Sequence, residues 1–256
     1  MNTDRAPVTT TPWLALLRRT TPARLRLFCF PYAGGNASLF RTWRNSLPAT
    51  VEVCPVHLPG RGSRLSEPPF TRLSSMVEAL IPALRPHMDQ PFAFFGHSMG
   101  ALIAFETARR LRTTYDLEPV HLFVSGSNPP QMPRNKRATY NLPEEQFIKE
   151  LQRLNGTPQA VLEHTELLRF MMGQLRADFE VVETYSYESG PPLSCGISVF
   201  GGLGDCETNR ERLTPWREHT TGSFSLSMLP GDHFFLHTAE SLLFRLISQK
   251  LHQVIA

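Results

Sequence analysis

The stretch PFAFFGHSMGALIAFETARRL, residues 91–111, decides the architecture. Its opening run, PFAFF, is short, continuous and apolar, the pattern of a strand buried on both faces of a parallel sheet. From Met99 to Leu111 apolar residues recur at helical spacing, and Arg109 and Arg110 suit the negative end of a helix. Between the two lies Gly96-His97-Ser98-Met99-Gly100, a G-x-S-x-G elbow in the strand–turn–helix setting that gives this motif its meaning. A serine on so sharp a turn needs small neighbours because backbone crowds around it, and the turn holds its hydroxyl clear of the sheet edge. The helix N-terminus behind it aims backbone N–H groups at the same spot, which suits an anionic intermediate. Ser98 is the candidate nucleophile.

Working outward, RLRLFCF (24–30) and TVEVCPVHL (50–58) read as strands before the elbow. HLFVSGS (121–127), GISVFGG (196–202) and FSLSML (224–229) read as strands after it. Leu73, Met76, Val77, Leu80, Ile81 and Leu84 recur at helical spacing, with Pro82 expected to kink or end that helix, and a last helix is expected from about 240 to 253. Strands alternating with helices predict an α/β fold with a mostly parallel sheet flanked by helices on both faces. One stretch breaks the rhythm. Between Ser127 and Cys195 there is no strand signal, only helical patterns: Phe147, Ile148, Leu151 and Leu154, then Leu167, Leu168, Phe170, Met171, Met172, Leu175 and Phe179. A segment of that length exceeds an ordinary connection and predicts a helical lid inserted at about 129–190 within one domain spanning 1–256. The plainer alternative is a pair of crossover helices.

Composition narrows the classes. The chain has 256 residues, 41% of them hydrophobic, and can bury a substantial core. Its formal net charge of +3 comes without a dense basic run, so nucleic-acid binding is not expected. No stretch approaches the roughly 20 apolar residues of a membrane span, and the N-terminus shows no signal-peptide cleavage pattern. Cys29, Cys54, Cys195 and Cys206 lack C-x-x-C spacing and read as free thiols of a reducing compartment. The expectation is a cytoplasmic monomer.

A serine hydroxyl is a weak nucleophile without an adjacent base, and in this architecture the partners follow in the order serine, acid, histidine. His57, His87 and His97 precede Ser98. His233 sits in Pro230-Gly231-Asp232-His233-Phe234-Phe235, a loop between the last strand and the last helix, where a base can hang over the strand tips. His237 is the nearest competitor but starts a helix, while His121, His164 and His252 read as structural or surface groups. Asp205 closes VFGGLGD directly after a strand and is the preferred acid; Asp116 is second choice. Asp232 is better placed to cap its turn, and Asp178 falls in the expected lid. Two N–H donors are needed for an oxyanion: Met99, following the nucleophile, and Ala33 in the glycine-rich FPYAGG (30–35).

FPYAGG, LPGRGSR (58–64), FGHSMG, LNGTP (154–158), LRADF (175–179), GGLGD and GDHFFL occur in this order. From Leu27 to Leu251 the chain thereby resembles the type II thioesterases of polyketide and nonribosomal peptide synthesis, and their relatives, the medium-chain thioesterases of animal fatty acid synthesis. The resemblance implies an α/β-hydrolase core with a helical lid, and a triad of Ser98, Asp205 and His233. It further implies hydrolysis of acyl groups held on the phosphopantetheine of an acyl or peptidyl carrier protein, with no metal or redox cofactor. The alternatives are a general esterase, an acyltransferase or cyclising enzyme, and a noncatalytic carrier-binding protein. One departure is Asn155, where the family often has a second glycine. Leu168, Phe170, Met171, Met172 and Leu175 are too dense an apolar set for an exposed helix, and some are expected to line the acyl chamber. Arg134, Lys136 and Arg137 form an expected docking patch for an acidic carrier.

Overall fold

The computed structural model describes residues 11–15, 23–132, 138–154 and 164–255. Among these, six strands form one sheet: β1 (Leu25–Phe30), β2 (Val51–Pro55), β3 (Phe92–His97), β4 (His121–Ser125), β5 (Gly196–Gly202) and β6 (Phe224–Leu229). Their order is β2-β1-β3-β4-β5-β6 and every neighbouring pair is parallel. The longer helices are α1 (Leu73–Leu84), α2 (Met99–Tyr115), α3 (Glu144–Leu154), α4 (Thr165–Glu183) and α5 (Glu240–Ile255).

Side chains alternate across the sheet, and both faces are covered. Phe28, Phe30, Phe94, Leu122, Val124, Ile197 and Val199 share one core with α1 and α2. Leu25, Leu27, Cys29, Ala93, Phe95, Phe123 and Phe200 share the other with Trp43 and α5. That is why PFAFF reads as an unbroken apolar run: consecutive residues of a strand point to opposite faces, and here both faces are dry. Pro82 does not end α1 at the residue before it; it lies inside the last turn, where its missing N–H falls opposite exposed Glu78.

The strand order places the site. From β1 the chain steps to β2 on one side, then crosses to β3 on the other, so the connections leaving β1 and β3 diverge at their carboxyl ends. An open parallel sheet forms its crevice at such a switch point. α2 starts there and runs back along β3 and ends at Asp116, which adopts a left-handed φ of 51° and donates its N–H to Arg112 and Leu111 carbonyls. Asp116 is thus at the opposite edge of the sheet from the elbow, and the second choice of acid is ruled out by the length of α2.

Residues 126–195 separate β4 from β5 and carry α3 and α4. These two helices pack through Phe147, Leu151, Leu168, Met172 and Leu175, with Met171 and Phe179 at the margin. The Arg176 guanidinium lies 4.5 Å over the Phe147 ring. The C-terminal half of α4 is tied to the core: Val181 enters the first core, Glu180 pairs with Arg72, and the Glu183 carboxylate accepts the Thr139 N–H at 2.7 Å. Phe170 departs from expectation. It is 63% exposed and outside the cluster, because it sits two positions from Met172 and therefore faces away from it on the helix. Arg134, Lys136 and Arg137, and the segment around Asn155, lie outside the described residues. Among the described residues no helix is long and apolar enough to cross a membrane, and Cys29, Cys54, Cys195 and Cys206 are free thiols, the first three buried.

Candidate active site

The elbow is built where β3 meets α2. Ser98 adopts φ 53° and ψ −114°, a region that L residues rarely occupy and that costs about 1–3 kcal/mol. Surrounding contacts hold it there: its N–H donates to the Ser125 carbonyl at 2.8 Å, and its carbonyl accepts the Ala101 N–H at 3.0 Å. Neither flanking glycine can be larger. A Cβ on Gly96 would lie 2.1 Å from the Gly100 carbonyl oxygen, and one on Gly100 would lie 2.1 Å from that of Phe30. Met99 opens α2, so its N–H belongs to the first turn, whose amides have no partner within the helix.

The loop after β1 comes alongside. Gly35 N–H donates to the Tyr32 carbonyl at 2.9 Å, closing a β-turn whose third residue, Gly34, has φ 79°. That is the type II pattern, which needs glycine at this position. The Gly34 N–H donates to Asp178 Oδ2 at 2.7 Å. With the Gly34 and Gly35 amides engaged, the turn's remaining interior amide is that of Ala33, at the apex.

The acid and the imidazole come from two loops laced together. Gly204 N–H donates to the Gly231 carbonyl at 2.8 Å and Leu203 N–H to that of Leu229 at 2.8 Å. This brings His233 Nδ1 to 2.8 Å from Asp205 Oδ2. Asp205 also accepts the Glu207 N–H at 2.8 Å and the Thr208 hydroxyl at 2.7 Å. Burial alone would push this carboxyl up, but the bonds from His233, Thr208 and the Glu207 amide outweigh it and hold the group below the usual carboxylate range. An ionised carboxylate can only accept, so Nδ1 carries the proton and Nε2 is left as the basic nitrogen. Asp232 caps the same turn, its Oδ1 accepting the Phe234 N–H at 2.8 Å.

His97 links the elbow to this loop. Its ring lies 5.2 Å from that of His233, while its Nδ1 meets Ser125 Oγ at 2.9 Å. Burial drives its pKa well below the ordinary histidine value, so it stays neutral and serves as packing. The other histidines stand elsewhere. His237 Nε2 is 3.1 Å from the Tyr32 hydroxyl, His121 is buried against Ser198, and His252 bonds its own helix at Ser248.

Sequence reasoning missed one pair. Arg61, from the LPGRGSR loop, and Asp178, from α4, are 3% and 0% exposed and form a two-pronged ion pair at 2.7 and 2.9 Å. Arg61 also donates to the carbonyls of Gly35 and Pro59. Breaking such a pair by removing one partner costs about 3–5 kcal/mol, because the other charge is left buried. The signal was available: Asp178 falls three positions from both Leu175 and Val181, so a charge stands on the apolar face of its helix and demands a partner.

A family model described as a thioesterase domain matches residues 25–251. The chain belongs to the thioesterase family. This thioesterase is 45% identical over 244 residues to the gramicidin S biosynthesis protein GrsT of Aneurinibacillus migulanus, covering 95% of each chain. It is 44% identical over 255 residues to a protein of Brevibacillus parabrevis named linear gramicidin dehydrogenase LgrE, covering 98% of this chain and 97% of that one. That last name speaks of a redox reaction, whereas the family model is that of a thioesterase domain. Among solved structures, the type II thioesterase BorB from the borrelidin biosynthetic cluster is similar at TM-score 0.86 and 33% identity, over 95% of this chain and 98% of that one. The thioesterase is a thioester hydrolase of the α/β-hydrolase fold.

Proposed function

We propose that this thioesterase releases acyl groups held on the phosphopantetheine arm of an acyl or peptidyl carrier protein, clearing stalled or wrongly primed chains during polyketide or nonribosomal peptide synthesis. The observation that carries the mechanism is the Asp205–His233 bond of 2.8 Å beside the strained elbow at Ser98. The pathway setting draws on the names of its relatives, which speak of gramicidin S biosynthesis and the borrelidin cluster.

In this reading His233 Nε2 takes the Ser98 hydroxyl proton as Oγ attacks the thioester carbonyl. Asp205 orients the imidazole and stabilises it when protonated. The N–H groups of Met99 and Ala33 hold the oxyanion. The C–S bond breaks, His233 gives its proton to the departing thiolate, and an acyl-enzyme remains. Water, deprotonated by His233, attacks the acyl carbon; Ser98 Oγ leaves with the proton and the free acid is released. Leu168, Met171, Met172 and Leu175 flank the site as the wall of the acyl chamber, with α3 and α4 as its lid; Phe170, facing outward, takes no part.

The test is mass spectrometry of a panel of acyl-loaded carrier proteins incubated with the enzyme, alongside oxygen esters of the same acids. Unloading of the carriers at rates well above ester hydrolysis is expected. A fluorophosphonate should label wild type and not Ser98→Ala, which should lose at least about 10³-fold in turnover. Esters cleaved faster than carrier thioesters would make the enzyme a general esterase. Unlabelled, inactive wild type would leave only a carrier-binding protein.

A further inference from the structure

The Arg61–Asp178 pair joins the loop after β2 to helix α4, and both of its members grip the turn after β1. Asp178 Oδ2 does two things at once. It accepts Arg61 Nη1 at 2.9 Å and the Gly34 N–H at 2.7 Å. Arg61 Nη1 in turn reaches the Gly35 carbonyl at 3.0 Å, so the cation and the carboxylate grip adjacent residues of one turn. From the same face of α4, Leu175 covers Gly34; a Cβ on that glycine would lie 2.6 Å from Leu175 Cδ2.

The peptide group gripped sets the type of the turn, and the Ala33 N–H, in the peptide before it, is carried by the turn as a whole. Types I and II differ by a flip of the central peptide, here the Ala33–Gly34 unit. With its N–H toward Asp178 the unit meets an acceptor. Flipped, it would turn the Ala33 carbonyl oxygen on a carboxylate that cannot donate. Glycine at position 34 leaves both states sterically open, so the carboxylate chooses between them.

We propose that Asp178, held in place by Arg61, is a positioning residue that fixes the Tyr32–Gly35 turn, and with it the Ala33 N–H that the turn carries, against the oxyanion site, so that seating of α4 and competence of that site are one event. This rests on the serine-hydrolase reading above, and deepens it.

The decisive measurement pairs turnover with a transition-state mimic. An alkyl boronic acid that bonds Ser98 Oγ becomes a tetrahedral anion with an oxygen where the oxyanion would sit. The double variant Arg61→Gln/Asp178→Asn removes both charges together, leaving neither alone in the interior, while Arg61→Lys keeps the charge and loses the fork. For each, kcat should fall about 10- to 100-fold, KM should stay within about twofold, and boronate affinity should fall in parallel with kcat. A variant that folds and keeps wild-type kcat and boronate affinity overturns the proposal, as does one in which KM alone rises, since a brace for substrate binding or stability would do only that. A third measurement needs no variant: by amide hydrogen exchange, Gly34 in wild type should be protected and Ala33 should shift on boronate binding. A Gly34 amide exchanging as fast as an open loop overturns the proposal even if both variants fail to fold. Wild type that neither binds boronate nor turns over would fail the hydrolase reading itself and take this inference with it, whereas wild type active in both with indifferent variants fails the inference alone.

Discussion

Gly100 has no room for a single methyl group, since the nearest atom to a Cβ there is backbone of β1, which cannot rotate away as a side chain could. Gly100→Ala should therefore pry α2 off the sheet, and circular dichroism melts should show either failure to fold or a transition shifted down with loss of Ser98 labelling. Asp205→Asn tests the acid at the same scale. With an amide in place of the carboxylate, the imidazole loses the group that fixes its tautomer, and kcat should fall by about 10⁴ with the melting temperature little changed. Asp116→Asn should leave kcat within about twofold, because its carboxylate is at the far end of α2. The elbow at Ser98 and the meeting of Asp205 with His233 could be anticipated from the chain because each of the three closes an apolar strand at a glycine-bearing turn, which is a local pattern. Arg61 and Asp178 could not be paired that way: 117 positions separate them, and only the folded chain brings them together.

α4 is two structures end to end. Its C-terminal half is riveted to the core by Asp178, Glu180, Val181 and Glu183, whereas its N-terminal half rests on α3 and exposes Phe170. The apolar density of this helix was legible from residue types, but density carries no phase. Phe170 was grouped with its neighbours by proximity along the chain, and the 3.6-residue period turns it outward. Two outcomes separate the faces. Met172→Ala should change the ratio of long- to short-chain acyl hydrolysis several-fold, while Phe170→Ala should scale both equally or not at all; steady-state rates on a chain-length series read this out. Gly173 is exposed in mid-helix with no atom within 4 Å of a Cβ built there. Gly173→Ala should stabilise by about 0.5–1 kcal/mol, a rise of about 1–4 °C in melting temperature by calorimetry.

At the scale of the whole molecule, burial lowers the pKa of five of the described histidines, His87, His97, His121, His219 and His237. His121 is pushed down to about 3 and His219 to about 4, while His97 also lies well below its ordinary value. Unfolding returns each to near 6.5. Between those values the unfolded chain binds more protons than the folded one, so stability rises with pH across that window and is lost on acidification from about 6.5 downward. Urea midpoints should fall steadily from pH 7 to pH 4. His219→Gln, keeping a polar group for the 2.5 Å contact with Gln131, should flatten that slope. An unchanged slope would show that His219 is not part of it. The two-faced burial of the sheet was legible in its continuous apolar runs, but the order of the strands was not, since runs of Phe, Val and Leu do not say which neighbour each will choose.

The parallel pairing of β4 with β5 has a consequence in time. His121 to Ser125 must find Gly196 to Phe200 across the whole of residues 126–195, whereas β1 to β4 are joined by shorter crossovers. Lengthening such an excursion adds only about 0.6 kcal/mol per doubling at equilibrium, but pairings so distant along the chain are slow to form. The half of the sheet bearing the elbow should consequently assemble ahead of the half bearing Asp205 and His233, so a refolding chain owns its proposed nucleophile before it owns its proposed base. In stopped-flow refolding, tryptophan fluorescence should recover in more than one phase, and reactivity of Ser98 toward a fluorophosphonate should return only with the slowest.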